Sequence, residues 1–567
     1  MRQPFLPIAA AFLLAGGSAT PAQVAPTPVT SATGMVSAAD PRAAEAGAEM
    51  LRAGGTAVDA AIATLVTLNL VEPQSSGIGG GGYMVYADRG GAPVTYDGRE
   101  TAPAAATPDW WLVNGQPMVF SEAQPGGKSV GVPGNLRMIA LAHREHGKLP
   151  WAKLFQPAIR LAREGFRITP RLHNSLDKYR RTGALSAEAR AIFYNADGSA
   201  KAVGTLVKNP VFADFLERIA AQGPDSFYVG PNAQAIVNAV NGASHNPSKM
   251  TAGDISTYDA KQKPPICGTY RGYRICGMAP SSSGGITVLA TLKQLEPFDL
   301  SKLGPNSATA WHLIAESERL AYADRDKYVG DADYVQVPLA GMADPSYLAS
   351  RSALISPDKA IAHAEAGTPP GAPPVCTPAA QPERGTSHFV VVDRWGDVVS
   401  ETSTIESSFG SGLMANGYYL NNELTDFSFE PVKDGCPAAN RVEGGKRPRS
   451  SMSPTIVYGP DGKVRLAIGA AGGSTIPAQV IKAIVGVIDF HLDAQQALAL
   501  PMIYAPGDTV YLESGTFLEA MAPDLRAMGH TVDFLPPVTF KANAIELVNR
   551  RWAGAADPRS EGAAVAE

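Results

Sequence analysis

The 567-residue sequence is poor in cysteine, in charge and in long apolar runs, and each shortage removes a class of function. Four cysteines, none in a C-x-x-C pair, and no H-E-x-x-H motif leave no spacing typical of a zinc site. Only 18% of residues are charged, the net charge is −5, and no dense Lys/Arg run occurs. Neither a nucleic acid nor an anionic membrane surface would find a basic patch to hold. There is no G-x-S-x-G elbow, which argues against an α/β-hydrolase. Gly127-Lys128-Ser129 ends like a phosphate-binding loop, but Glu122 stands where that loop needs its first glycine. The glycines at 79–82 lack the G-x-G-x-x-G spacing, so nucleotide binding is set aside as well.

What is present is a chain that is 45% hydrophobic, able to bury a large core and too long for one ordinary domain. Its start reads as an export signal over residues 1–22. Arg2 is followed by the apolar stretch Phe5–Ala15 and by small residues at Gly17-Ser18-Ala19 and Thr20-Pro21-Ala22. That stretch is too short to span a bilayer, and no later segment is long and apolar enough, so the mature protein is expected to be soluble, unanchored and periplasmic or secreted. Cys267 and Cys276 flank a Gly-Thr-Tyr-Arg-Gly-Tyr turn and could face each other, leaving Cys376 and Cys436. Four cysteines allow three connectivities, and the sequence does not choose among them.

Asp40-Pro41 predicts a helix start, and the helix stops at Gly54-Gly55. Thr56 to Asp59 looks like a capping box for a second helix with Val58, Ile62, Leu65 and Val66 on its apolar face. Further helices are expected over 136–145, 212–221, 308–324 and 477–491, and strands over 83–87, 466–470 and 509–513. Residues 364–385 are rich in Pro, Ala and Gly without periodicity and read as a linker. The β pattern Thr386-Ser-His-Phe-Val-Val-Val follows at once, turns at 393–397 and returns through 398–404 as a hairpin. A tether abutting a core strand is the arrangement that a maturation cut would use.

That junction carries chemistry. Cleaving an amide needs a nucleophile, a base and donors for the developing oxyanion. A threonine made N-terminal by a cut supplies the first two, because its α-amine, with an unperturbed pKa of about 7.7–8.0, sits beside its hydroxyl. Thr386 follows the small Gly385, whose carbonyl is open to intramolecular attack.

Several segments together resemble the γ-glutamyltranspeptidases, a family of N-terminal-nucleophile hydrolases. They are Val71–Gly82, Asp97–Pro103, Val132-Pro-Gly134, Pro280–Gly285, Thr386-Ser-His388, Lys446–Pro454 and Gly472-Gly473, in the family's order and spacing. The resemblance implies an α+β, four-layer αββα sandwich made of a large subunit (23–385) and a small catalytic subunit (386–567) from one precursor. It implies cleavage at Gly385-Thr386 and a Thr386 acyl-enzyme that passes a γ-glutamyl group from glutathione or γ-glutamyl peptides to water or to an amino acid or peptide. It further implies that Arg99 and the pair Ser450 and Ser451 hold the glutamyl α-carboxylate. Glu423 and Asp426 would accept from its ammonium, Gly472 and Gly473 would form the oxyanion hole, and Thr404 would orient the Thr386 hydroxyl. This chemistry requires no metal and no organic cofactor.

Two departures stand out. Glu406 occupies a position where typical glutathione-active members carry Asn, so three carboxylates would crowd one ammonium. The segment 428–445, where the family carries a lid, is short, which predicts more hydrolysis relative to transfer. Alternatives therefore remain: a same-mechanism acylase for glutaryl or cephalosporin-type side chains, a poly-γ-glutamate transferase, or an exported binding protein without turnover.

Overall fold

The computed structural model describes residues 28–89, 91–379, 381–536 and 540–567; the expected export signal lies outside them. Two seven-stranded antiparallel sheets form the centre. One runs in the order Val29–Ser31, Arg551–Ala556, Lys541–Val548, Val464–Ala471, Thr455–Tyr458, Tyr273–Gly277 and Ile266–Tyr270. The other runs Ala563–Ala566, Met35–Ala38, Ser387–Val392, Val398–Thr404, Gly81–Ala87, Val94–Asp97 and Lys261–Lys263.

Alternation along each strand sorts the apolar residues into three layers. Val390, Val392, Val85 and Val398 meet Ile456, Ala467 and Ile545 between the sheets. On its outer face the second sheet presents Phe389, Val391 and Val399 to the helices Pro41–Arg52 and Ala57–Val71. The first sheet presents Val457, Leu466 and Ile468 to the helices Ala308–Tyr328 and Ile476–Ile488. Helix, sheet, sheet and helix give the four-layer αββα order that the resemblance implies.

The helix and strand expectations hold with boundary shifts of a few residues. Proline and capping side chains set the starts: Asp40 caps Pro41–Arg52, and Thr56 with Asp59 forms a full capping box on Ala57–Val71. The expected apolar face of that second helix is instead a fully buried cylinder, with all fifteen residues buried between the sheet and an outer shell of helices. The long helix extends to Tyr328 rather than 324, and the helix from 476 ends at Ile488. No described residue between 353 and 386 belongs to a helix or strand. Yet this linker is no loose tether, since Ala366, Ala372 and Val375 pack against the apolar cluster around Tyr328. Cys267 pairs with Cys276 across directly opposed strand positions, and Cys376 pairs with Cys436. Among the described residues, no helix is long and apolar enough to cross a membrane.

Candidate active site

The hairpin places Thr386. Its register sets Ser387 opposite Ser403, so Thr386 and Thr404 face each other one step beyond the paired strands. The Thr386 hydroxyl donates to Thr404 Oγ1 at 3.2 Å, and that oxygen also accepts the Glu406 N–H at 2.8 Å. The Ser75 carbonyl holds both strand ends, accepting the N–H of Thr386 and of Ile405, each at 3.2 Å. Gly80 lets this loop approach, because a Cβ there would lie 2.0 Å from the Thr404 carbonyl oxygen.

The Gly385-Thr386 amide lies against Gly472. The Gly472 N–H donates to the Gly385 carbonyl oxygen at 3.1 Å, the position a donor must hold to stabilise an oxyanion formed there. Gly385 has φ +86°, and a Cβ on it would lie 1.7 Å from the Glu406 carbonyl oxygen, so glycine is required. Gly473 follows at φ +59°, with its Cβ position 1.9 Å from the Glu383 carbonyl oxygen.

Arg99, Glu406, Glu423, Asp426, Ser450 and Ser451 converge with Thr386, Thr404 and Gly473 around one pocket, which Glu383 and Arg384 enter from the linker. The room left between them is about 10 Å³, at most one water molecule. Burial of this many acids has a cost that shows in their protonation. Burial pushes the Glu406 carboxyl up to about 7, although Ser407, the Arg384 N–H and Asn422 donate to it. Burial, only partly offset by Arg99, raises Glu423 and Asp426 well above the usual carboxylate range. Glu100, behind Arg99, rises to about 8 for the same reason.

Arg99 is buried in the wall of this pocket. Its two Nη atoms donate to Glu423 and Asp426, while Nη2 and Nε also reach the carbonyls of Arg449 at 2.8 Å and Pro448 at 3.1 Å. Ser450 and Ser451 follow directly on these carbonyls and line the same pocket. Ser451 meets Arg325, and the Ser450 hydroxyl takes the Met452 N–H at 3.1 Å.

Two lining residues, Glu383 and Arg384, escaped the sequence reading, as did Arg325 near the end of the long helix, which reaches Glu383 and Ser451 from behind the lining. Glu383 had one usable signal, its position two residues before the glycine of the junction. Arg325 had none, because a charged residue late in a helix reads as a solvated C-terminal cation. The short segment 428–445 forms a small hairpin, Val432–Lys433 with Cys436–Pro437, clipped to the linker by Cys376–Cys436, and does not line the pocket.

A family model described as Gamma-glutamyltranspeptidase matches residues 43–567. The chain is 38% identical over 546 residues to the glutathione hydrolase proenzyme of Bacillus subtilis (strain 168), covering 94% of this chain and 91% of that one. It is 36% identical over 550 residues to the glutathione hydrolase proenzyme of Escherichia coli (strain K12), covering 94% and 91%. Among solved structures, a cephalosporin acylase from Bacillus halodurans superposes with a TM-score of 0.86 at 27% identity, covering 98% of this chain and 99% of that one.

Proposed function

The chain belongs to the gamma-glutamyltranspeptidase family, and from that premise we propose that it is a self-cleaving γ-glutamyl hydrolase and transferase acting on glutathione and γ-glutamyl peptides. In the uncut chain, Thr386 Oγ1 attacks the Gly385 carbonyl, and Gly472 supports the developing oxyanion. The acyl group moves from nitrogen to oxygen, and water then hydrolyses the ester. The products are a large subunit ending at Gly385 and a small subunit, 386–567, that starts with a free threonine amine.

In turnover that amine takes the proton of its own hydroxyl, and Thr404 keeps the hydroxyl aligned. The donor's γ-carbonyl takes the place of the Gly385 carbonyl at Gly472 and Gly473. Its ammonium faces Glu406, Glu423 and Asp426, and its carboxylate lies toward Arg99, Ser450 and Ser451. A neighbouring cavity of about 750 Å³ opens beside Gly385 and Gly472, which leaves room for a leaving group or an acceptor amine. The observation that carries this reading is the hydrogen bond from Gly472 to the very carbonyl that Thr386 must attack.

A second reading keeps the mechanism and changes the acyl group to a glutaryl or cephalosporin-type side chain; the close superposition on a cephalosporin acylase favours it. Three crowded acids speak for an ammonium-bearing donor, and so for glutamyl. Export through the 1–22 signal completes the proposal. Purified protein should yield a fragment beginning Thr386-Ser-His and should release a chromogenic γ-glutamyl anilide. Thr386→Ala should abolish both. Cleavage without anilide release would favour the acylase reading, and an uncleaved, inactive wild-type chain would sink the mechanism.

A further inference from the structure

The cavity of about 750 Å³ beside Gly385 and Gly472 has a charge pattern unlike that of the neighbouring acid-rich pocket. One wall is the short helix Pro170–Lys178, started by Pro170 and capped by Thr169. Arg171, Asn174, Ser175 and Lys178 all line the cavity, and their i, i+3, i+4, i+7 spacing sets them on one face of that helix. A polar stripe of this kind ordinarily faces bulk solvent. Here it shares a cavity with the scissile bond, and Lys541, at the start of the strand Lys541–Val548, adds a buried cation to the lining.

The Lys541 ammonium is well engaged. Its Nζ donates to Glu72 Oε2 at 2.9 Å, to Ser75 Oγ at 3.1 Å and to Ser387 Oγ at 3.4 Å. Burial draws it down to about 8, so it still carries its charge at neutral pH. Arg171 is engaged less. Its Nε stands 3.4 Å from Glu72 Oε1, and among the described residues neither Nε nor Nη1 has a hydrogen-bond partner. Glu561 accepts the Arg171 backbone N–H at 2.9 Å.

Among the described residues that line the cavity, the one acid is Glu383, and it belongs to the linker that ends at Gly385. When the linker withdraws, Arg384 leaves with it. Arg171, Lys178 and Lys541 then stand against the carboxylates of Glu72 and Glu561, and the surface stays net positive. On the nitrogen side of glutathione's γ-glutamyl bond is a dipeptide whose far end is a free carboxylate, and a peptide acceptor brings the same group. We propose that this cavity binds the nitrogen-side peptide, and that Arg171, backed by Lys541, holds its terminal carboxylate. Asn174 and Ser175 offer further donors on the same face, and Leu535 and Phe540 supply an apolar wall for the rest of the peptide. The inference rests on the γ-glutamyl-transfer reading and adds a second specificity site to it.

The test compares glutathione with its C-terminal amide on mature enzyme; the two differ only in the leaving peptide's carboxylate. Wild type should favour glutathione in kcat/KM. In Arg171→Gln that preference should fall about five- to thirtyfold, mainly through KM, as expected for a partly exposed charged hydrogen bond. With γ-glutamyl anilide as donor, the preference for glycylglycine over glycylglycinamide as acceptor should fall in parallel. Arg171→Lys keeps the charge and should keep part of both preferences, having lost the planar fork. Hydrolysis of the anilide, whose leaving group has no carboxylate, reports whether a variant has matured with a working centre. If Arg171→Gln fails that check, the Lys variant decides. A wild type indifferent to the carboxylate, or an undiminished preference in a competent Arg171 variant, would overturn the inference and leave the glutamyl reading intact. A cleaved wild type that turns over neither glutathione nor the anilide would remove the glutamyl reading, and this inference with it.

Discussion

Thr386 sits at φ +91°, a backbone region that a β-branched residue rarely adopts, directly after Gly385 at φ +86°. Such strain costs about 1–3 kcal/mol and persists only where surrounding contacts impose it. Here the Ser75 carbonyl, the Gly472 N–H and the Glu406 backbone impose it, and the proposed cut between the two residues would release it. The same geometry makes Gly385 the most sensitive position of the linker. Gly385→Ala would drive a Cβ into the Glu406 carbonyl, shift the scissile carbonyl off Gly472 and slow self-cleavage by about ten- to a hundredfold. Mass spectrometry of the maturing chain over time measures this, and wild-type kinetics in that variant would contradict it. At this scale short motifs in a fixed order picked out Thr386, Thr404, Gly472 and the acids that the structure brings close together. It did not disclose Glu383 or Arg325. Which residue plugs a pocket is decided by long-range packing, and no local pattern encodes it.

Secondary elements were more legible, since capping and periodicity are local. Asp59 illustrates both the success and its limit. The sequence marks it as half of a capping box with Thr56, and the structure gives it more to do. Its carboxylate accepts the Thr56 N–H at 2.9 Å and also the N–H groups of Lys148 and Leu149, at 3.1 and 3.0 Å, ninety residues away. It therefore ties the helix Ala57–Val71 to the end of the helix Asn135–His146. Asp59→Ala would leave these donors unpaired in a buried site and destabilise the fold by at least about 1–3 kcal/mol. Asp59→Asn should lose less, because its carbonyl oxygen still accepts. Thermal unfolding of the uncut Thr386→Ala chain, in which maturation cannot confuse the reading, measures both. The full burial of that helix was invisible from sequence: Ala, Thr and Asn on its outer side look solvent-tolerant, and only the outer helical shell covers them.

For the whole molecule, the layered order followed from the resemblance rather than from counting strands, since short segments such as Val29–Ser31 and Ala563–Ala566 carry too little pattern to be found alone. Strands from before and after position 385 interleave in both sheets. The pair Ser387–Val392 and Val398–Thr404 lies between Met35–Ala38 and Gly81–Ala87, and Val29–Ser31 lies beside Arg551–Ala556. Two fragments made by one cut would share one core and could not part without unfolding.

The Cys376–Cys436 bridge gives the cut a covalent topology of its own. In the intact chain residues 376 to 436 close a ring; the proposed cut at 385 would open that ring and leave both fragments joined through the sulfurs. The new chain end becomes a nine-residue leash from Cys376, with a reach of about 30 Å, long enough to return to the pocket it vacated. Held so near, it would act as a tethered competitor at an effective concentration in the millimolar range. Mature protein should therefore run as one species on a denaturing gel without reductant and as two with it, while Cys376→Ser should give two in either case. A wild-type protein already split without reductant would show that the leash does not exist. Where it does, a reducing assay buffer measures an untethered enzyme, and substrate competes with a freer end than it meets in an oxidising compartment.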